Sequence, residues 1–499
     1  MFSSNKDFPV WCWDCWWSDD LDNKQYGIAY NSSKPFFEQW AELWEKVPKP
    51  ALVHNRSINS PYLNYAADSR NCYMVIESSN NENCINCYWV QLSKDLVDCS
   101  FTNHVEYSYE VDDCYDCHSL RYSKGCRVCL DSAFLLNCRG CSHCLGCINL
   151  RDQSYTIFNK PYTKDEYEKK LASYKLDTHS GVENFKKKFE KFIKDKPRKF
   201  AEVYNVVSST GNYMNNVKNN RSCFHSYEAE ENAYSCHVWR EAKNCMDCNT
   251  SGRTAELIYN CHNTGLNASN DICCSACWDS QFMDYCANCH DAKNCFGCVG
   301  LIKAEYCILN KQYSKDEYIK LRTKIINDLK KGGIYGDFFP NYLSPFGYNE
   351  SAAIDEFPLS KDEALAQGFK WEDTPRGTYG KETVNWKSFP DSIVGLSEDF
   401  NINKQIFACT KCKKDYRVIN DELTFYRRMK IPIPRTCPEC RHVARLKNRG
   451  PNKLWHRSCM CKKEGHDHEG KCKTEFETTY APDRPEIVYC EKCYQAEVY

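Results

Sequence analysis

Apolar positions are thinly spread between residues 60 and 320. Tyr, Val, Phe and Leu come in ones and twos, with Asn, Asp, Ser and Gly between them, and no stretch keeps a helical 3.6-residue period. Cysteine recurs instead at intervals of about a dozen: Cys72 and Cys84, Cys87 and Cys99, then Cys114, Cys126 and Cys138. Short strands and polar turns at a repeating interval predict a solenoid of strands, of the parallel β-helix type. One coil cannot bury its inner face alone, so coils stack. Small residues at one coil position then form an interior ladder. The fold class expected is mainly β.

The solenoid occurs twice. "CRVCLDSAFLLNC" (126–138) matches "CSACWDSQFMDYC" (274–286) at Cys, Cys, Asp, Ser, Phe and Cys. "CLGCINLRDQSYTIFNKPYTKDEYEKKL" (144–171) parallels "CFGCVGLIKAEYCILNKQYSKDEYIKLR" (295–322). The first block holds 12 cysteines and the second 13. Each ends in a helix announced by a capping box, Thr163 with Glu166 and Ser314 with Glu317. After the first block Phe185, Phe189, Phe192 and Ile193 form an apolar stripe whose opposite face is rich in Lys, a solvated face. The expected organisation is a knuckle-bearing aromatic segment (1–59), two solenoid blocks with capping helices (60–204 and 205–335), a linker with one local helix after Ser360 (336–400), and two zinc ribbons (401–450 and 451–499).

Composition sharpens this picture mainly through cysteine. The chain has 499 residues, 36 of them Cys, and a formal charge of −1, so no global field points to nucleic acid or membrane. The first residues lack a basic and apolar leader, and no apolar run reaches membrane-span length. Fourteen Cys-x-x-Cys pairs, counting overlaps, suit metal better than long disulfide loops. A reduced, cytoplasmic, metal-binding protein is expected; the alternative is an exported chain whose signal has been lost. For the block cysteines, packing as small hydrophobes is favoured over metal. "CRGCSHCLGC" (138–147) resembles a local iron–sulfur ligand run, but Ala292 breaks its counterpart in the second block.

The clearest chemistry lies near the C-terminus. Cys409 and Cys412 are separated by 24 residues from Cys437 and Cys440. Thiolates at i and i+3 on two tight turns close a tetrahedral zinc site with no position left for water. A second site draws on Cys459, Cys461, Cys472, Cys490 and Cys493, five thiols for four places, with His466 and His468 as further candidates. Cys490 and Cys493 are the safest pair. Two zinc ions are expected. From Tyr426 to Arg457 ten basic residues meet one acid, Glu439. Arg427, Arg428, Arg435, Arg441, Arg445 and Arg449 form a candidate nucleic-acid face, with Tyr426 and Trp455 for stacking. The competing reading is a basic face docked on acidic parts of the same chain.

At the other end, "VWCWDCW" (10–16) parallels "VYCEKCY" (488–494). Cys12 and Cys15 therefore read as the last knuckle of another ribbon. A truncated N-terminus is the favoured account, over a partner that supplies the ligands or block cysteines that fold back; Trp11, Trp13, Trp16 and Trp17 would pack as a lid on the first solenoid. The segment "FACTKCKKDYRVINDELTFYRRMKIPIPRTCPECRHVARLKNR" resembles the short probable-zinc-ribbon module of uncharacterised bacterial proteins. The blocks with "FNKPY" and "CWWSD" look like large proteins of candidate-phyla bacteria in which ribbons precede such blocks. The resemblance implies zinc at Cys409, Cys412, Cys437 and Cys440, and it implies no activity.

The function expected is a non-catalytic zinc-binding scaffold that meets a protein partner or nucleic acid, with no membrane and no identified small-molecule substrate. The alternatives are metal storage or iron–sulfur redox work by the block cysteines, and a β-helix enzyme acting on carbohydrate. No constellation of acids, phosphate loop or nucleophile supports the enzyme. Asp131 and Asp279, which recur between blocks, read as turn residues.

Overall fold

The computed structural model describes every residue except 1, 3–5 and 375–376. It is mainly β: two β-solenoids run from His54 to Pro161 and from Val203 to Gln312. Strands within each are parallel apart from one closing antiparallel pair, and their register shows the coil length directly. Tyr73 pairs with Ile85, Cys84 with Leu96 and Leu130 with Ser142, a step of 12 residues. Along the coil every third residue is left-handed. Asn71, Met74, Glu77, Asn80 and Asn83 have φ of 52°, 53°, 51°, 57° and 54°. Each coil is therefore a square with four three-residue sides. Asn and Asp tolerate this region better than most residues, which explains the polar punctuation. Corner side chains also stack: the amides of Asn59, Asn71 and Asn83 and the carboxylate of Asp95 are linked at 2.9, 3.3 and 2.9 Å.

The residue after each corner faces inward. Cys72, Val75, Ser78, Asn81, Cys84, Cys87 and Val90 are all buried in this way. A block Cys-x-x-Cys is thus one side of the square, with both thiols in the core. The interior is narrow, and each corner leaves backbone groups that need partners. Short side chains that both donate and accept meet both demands. The Cys87 thiol donates to the Ile85 carbonyl at 3.3 Å, as the Ser93 hydroxyl does to Gln91 at 2.7 Å. In return the Val105 N–H donates to Ser93 Oγ at 3.1 Å and the Cys129 N–H to Cys117 Sγ at 3.4 Å.

The two solenoids lie side by side and antiparallel. Contacts run Tyr65 to Trp278, Trp89 to His237, Tyr115 to Tyr227 and Arg127 to Tyr204, ascending in one and descending in the other. Both capping boxes form, at the starts of helices Lys164–Ser173 and Lys315–Lys331. Helix His179–Ile193 buries Phe185 and Phe189 against Phe134. Helix Phe36–Lys46 packs Phe36, Trp40 and Leu43 on the last coils of the second solenoid. Burying a side chain such as Leu43 or Phe36 contributes about 1.5–3 kcal/mol.

Two local expectations change. The tryptophans near the N-terminus do not rest on the first solenoid alone. Trp13 stacks on His54 of the first, while Trp17 lies against His290 of the second. The stretch read as linker also contributes to the first ribbon. Val384, Ile393 and Leu396 join its core, and the Trp386 indole N–H donates to the Ala408 carbonyl at 2.7 Å. Among the described residues no helix is long and apolar enough to cross a membrane.

Candidate metal centres

In the first ribbon, strands Phe407–Ala408 and Asp415–Tyr416 pair antiparallel and carry Cys409 and Cys412 on their turn. Cys437 is the N-cap of helix Pro438–Arg449, where Pro438 at the first helical position needs no amide partner. Cys440 follows one turn later. The four ligand sulfurs lie within 4.8 Å of one another, and Cys412 Sγ and Cys437 Sγ are 3.7 Å apart. A tetrahedral zinc with Zn–S near 2.3 Å sets sulfurs about 3.8 Å apart, a spacing the Cys412–Cys437 pair already has. The Cys437 N–H donates to Cys409 Sγ at 3.3 Å. Burial opposes the Cys409 thiolate, but the backbone amides of Cys412, Cys437 and Lys411 outweigh it and bring the pKa down to about 6.

The second ribbon repeats this plan and settles which five thiols go where. Cys459, Cys472, Cys490 and Cys493 form the tetrad, all buried, with Cys472 Sγ and Cys490 Sγ 4.0 Å apart. The Cys490 N–H donates to Cys459 Sγ at 3.3 Å, the counterpart of the Cys437 contact. Burial opposes the Cys472 thiolate too; the Thr474 hydroxyl and amide reverse the balance and bring it to about 6. Cys461 belongs elsewhere. It converges with His466, His468 and Cys493, with Cys461 Sγ and His466 Nδ1 3.2 Å apart. His468 Nδ1 donates to the Gly470 carbonyl at 3.0 Å, so its Nε2 carries the lone pair. That Nε2 is buried and has no hydrogen-bond partner. A backbone carbonyl that fixes the ring while the other nitrogen waits is the usual support of a metal-binding histidine. Both the tetrads and this third set can hold a metal ion.

Cys12 and Cys15 adopt the same knuckle. Cys12, Cys437 and Cys490 each cap a helix, with φ/ψ of −65°/163°, −66°/159° and −63°/166°. Val10–Trp11 pairs parallel with Lys49–Pro50 just before the first solenoid, and Val488–Tyr489 pairs with Arg198–Lys199 just before the second. The likeness of the two segments therefore extends to their packing. Cys12 and Cys15 are exposed, and among the described residues no further ligand converges on them. The block thiols likewise enter none of the three converging sets.

The arginines of the expected nucleic-acid face are placed differently from that expectation. Arg441, Arg445 and Arg449, at i, i+4 and i+8 of one helix, are 4%, 7% and 6% exposed. Arg441 Nε binds Asp98 Oδ2 at 2.8 Å, and Arg445 Nε donates to Ser100 Oγ at 3.3 Å. Arg449 binds Asp112 at 2.9 Å between the Phe101 and Tyr213 rings, 3.7 and 3.9 Å from their centroids. Phe101 belongs to the first solenoid and Tyr213 to the second, so this helix sits in the seam between them. Arg428 pairs with Asp95 over Tyr107, Arg435 with Asp391 over Trp386, and Arg427 donates to the Ser397 carbonyl. Tyr426, expected to stack on bases, is fully buried, its hydroxyl on Glu422. Five of these six arginines are thus met by the chain's own acids, and Arg427 by a carbonyl. Asp131 and Asp279 occupy left-handed corners, as turn residues do.

No known protein family and no curated protein matches this chain.

Proposed function

We propose that the chain is a non-catalytic scaffold whose ribbons are zinc-held internal braces. The observation that carries this reading is the helix Pro438–Arg449, which starts at a metal ligand and ends between the two solenoids. The second ribbon supports it at the far end, where the Tyr494 hydroxyl meets Asn149 and Asn137 of the first solenoid at 2.8 and 2.6 Å. Zinc suits four thiolates with no open position. The third set takes a further zinc through the shared Cys493 thiolate. The outer faces of the solenoids, free of the ribbons, are the surfaces offered to a protein partner.

The test is metal content by plasma mass spectrometry on protein purified without oxygen or chelator. Between two and three zinc per chain and no iron is the expected result, with the excess over two lost in His468→Ala. Iron, or zinc well beyond three, would place metal in the blocks and end the scaffold reading.

A further inference from the structure

Between the solenoids lies a cleft of about 810 Å³, lined from both sides and by Trp13 and Trp17. Its walls are ladders. On the first solenoid Tyr65, Glu77 and Trp89 occupy one corner of three successive coils. On the second, Trp239, Gly252, Gly265, Trp278 and His290 follow one another in register. Aromatic rings stand at both ends of this row, and the two middle rungs are glycines. Neither glycine has a left-handed φ, so the backbone does not require them. They are needed for room: a Cβ on Gly252 would meet the Trp239 ring at 2.6 Å, and one on Gly265 would meet the Gly252 carbonyl at 2.9 Å. The same three coils are enlarged. Trp239 pairs with Gly252 and Gly265 with Trp278 at a step of 13, and the extra residues are the paired left-handed corners Arg240–Glu241, Arg253–Thr254 and Leu266–Asn267. Longer coils and missing rungs coincide at this one place.

Glu77 faces the gap. It lines the cleft, is half-buried, and among the described residues no basic side chain forms an ion pair with it. Several other polar side chains of the lining are already engaged. Ser78 donates to Ile76 and accepts from Val90; Asn267 binds Asp279 and Thr254; Asp68 holds Arg56; Gln91 accepts from Arg240. A cation needs ring faces and one counter-charge. The lining carries three carboxylates, Asp68, Glu77 and Asp279, against two arginines, Arg56 and Arg253. The buried His290 is held neutral, its pKa pushed down to about 3 by burial.

We propose that this cleft binds a small organic cation of the alkylated-ammonium class, held against the rings of Trp89 and Trp278 with Glu77 as its counter-charge; Trp239 already carries Arg240 over its ring at 4.9 Å. The site is independent of the metal reading. Burial pushes the empty-cleft pKa of Glu77 up to about 7, so binding a permanent cation must be coupled to its ionisation. The groups that face Glu77 are Tyr65, Tyr88 and Trp89 on its own solenoid, and His237 with its partner Glu356 across the seam. His54, Arg56, Asp68, Arg253, Asp279 and His290 complete the charged and titratable lining.

The experiment titrates the intact, metal-loaded chain with choline and with its uncharged carbon analogue, 3,3-dimethylbutan-1-ol, by calorimetry and tryptophan fluorescence. Choline should bind one to one and at least about tenfold more tightly than the neutral analogue. With a pKa near 7, affinity should rise about tenfold from pH 6 to pH 8. Glu77→Gln should reduce choline to the level of the analogue and flatten the pH profile, which separates Glu77 from the histidines. The pH profile of the unmodified chain tests the same point without any substitution. Equal affinity for the two probes, a flat profile, or saturable binding of a neutral oligosaccharide with no response to choline would overturn the proposal.

Discussion

The block Cys-x-x-Cys and the ribbon Cys-x-x-Cys share a spacing and differ in everything the backbone does between the two thiols. In a block, the residue before each cysteine is left-handed, the chain turns a square corner, and each thiol enters the core to serve a carbonyl two residues back. In a ribbon, the second pair starts a helix, amides turn toward sulfur, and four sulfurs converge. The first arrangement uses cysteine as a slightly larger serine. The second gathers it into a set that can hold a metal ion. Spacing alone does not distinguish them; the neighbours of the pair do, most often Asn, Asp or Gly at the corner in one case and Pro or Glu opening a helix in the other.

The comparison breaks most visibly on removal of metal. A strong chelator should unfold or greatly destabilise the ribbons, since structural zinc supplies on the order of 10 kcal/mol to small sites. Before chelation, iodoacetamide should label Cys12 and Cys15 readily and Cys412 slowly, because these are the exposed thiols. After chelation, the two tetrads should label while block thiols stay protected. Block labelling that keeps pace with the tetrads would erase the distinction, and peptide mass mapping reads either result.

Next in size is the brace itself. Arg441→Ala leaves Asp98, which is fully buried, and Glu422 without their nearest cation. A loss of about 3–5 kcal/mol is expected from denaturant unfolding. A loss under about 1 kcal/mol would mean that the helix does not hold the seam.

A smaller effect tests the serine-like role. Cys129 donates to the Arg127 carbonyl at 3.4 Å inside the first solenoid. Cys129→Ser should change stability by less than about 1 kcal/mol, whereas Cys129→Leu should cost about 1–3 kcal/mol through overpacking. The reverse order in melting experiments would show that the interior selects cysteine for bulk alone.

The smallest effect concerns acid. Burial opposes ionisation of Glu356, but His237 at 2.7 Å outweighs it, and the carboxyl stays below its usual range. A depressed acid contributes stability above its unfolded pKa, about 4.3, and loses it as pH falls through the folded value. Glu356→Gln should therefore melt below the unmodified chain at pH 7 and close to it at pH 3.

Much of this was legible in the sequence, and what was not has a physical cause. The duplication, the dozen-residue interval, the capping boxes and the first tetrad stand in the residues themselves. The square coil was hidden in plain arithmetic: the cysteines from Cys72 to Cys147 all fall on multiples of three. A period of three belongs to neither the helix nor the ordinary strand, so neither template detects it. In the second block the phase slips at each enlarged coil, from Cys248 to Cys261 to Cys274, which blurs the count further. The assignment of Cys461 needed the His468 ring orientation, which depends on the Gly470 carbonyl and has no sequence signal. The fate of the arginines turned on Asp98 and Asp112, over 300 residues away.

The enlarged coils carry a lesson about how such a chain changes over generations. A single inserted codon in most β architectures flips every following side chain to the wrong face. Here a doubled corner absorbs the added residue, and the next side resumes with its core position intact. Point insertions thus become a means of sculpting. Three of them, one above another, hollow the wall without a loop, a domain or a break in the stack, so pockets can arise in this architecture by the mildest of genetic events.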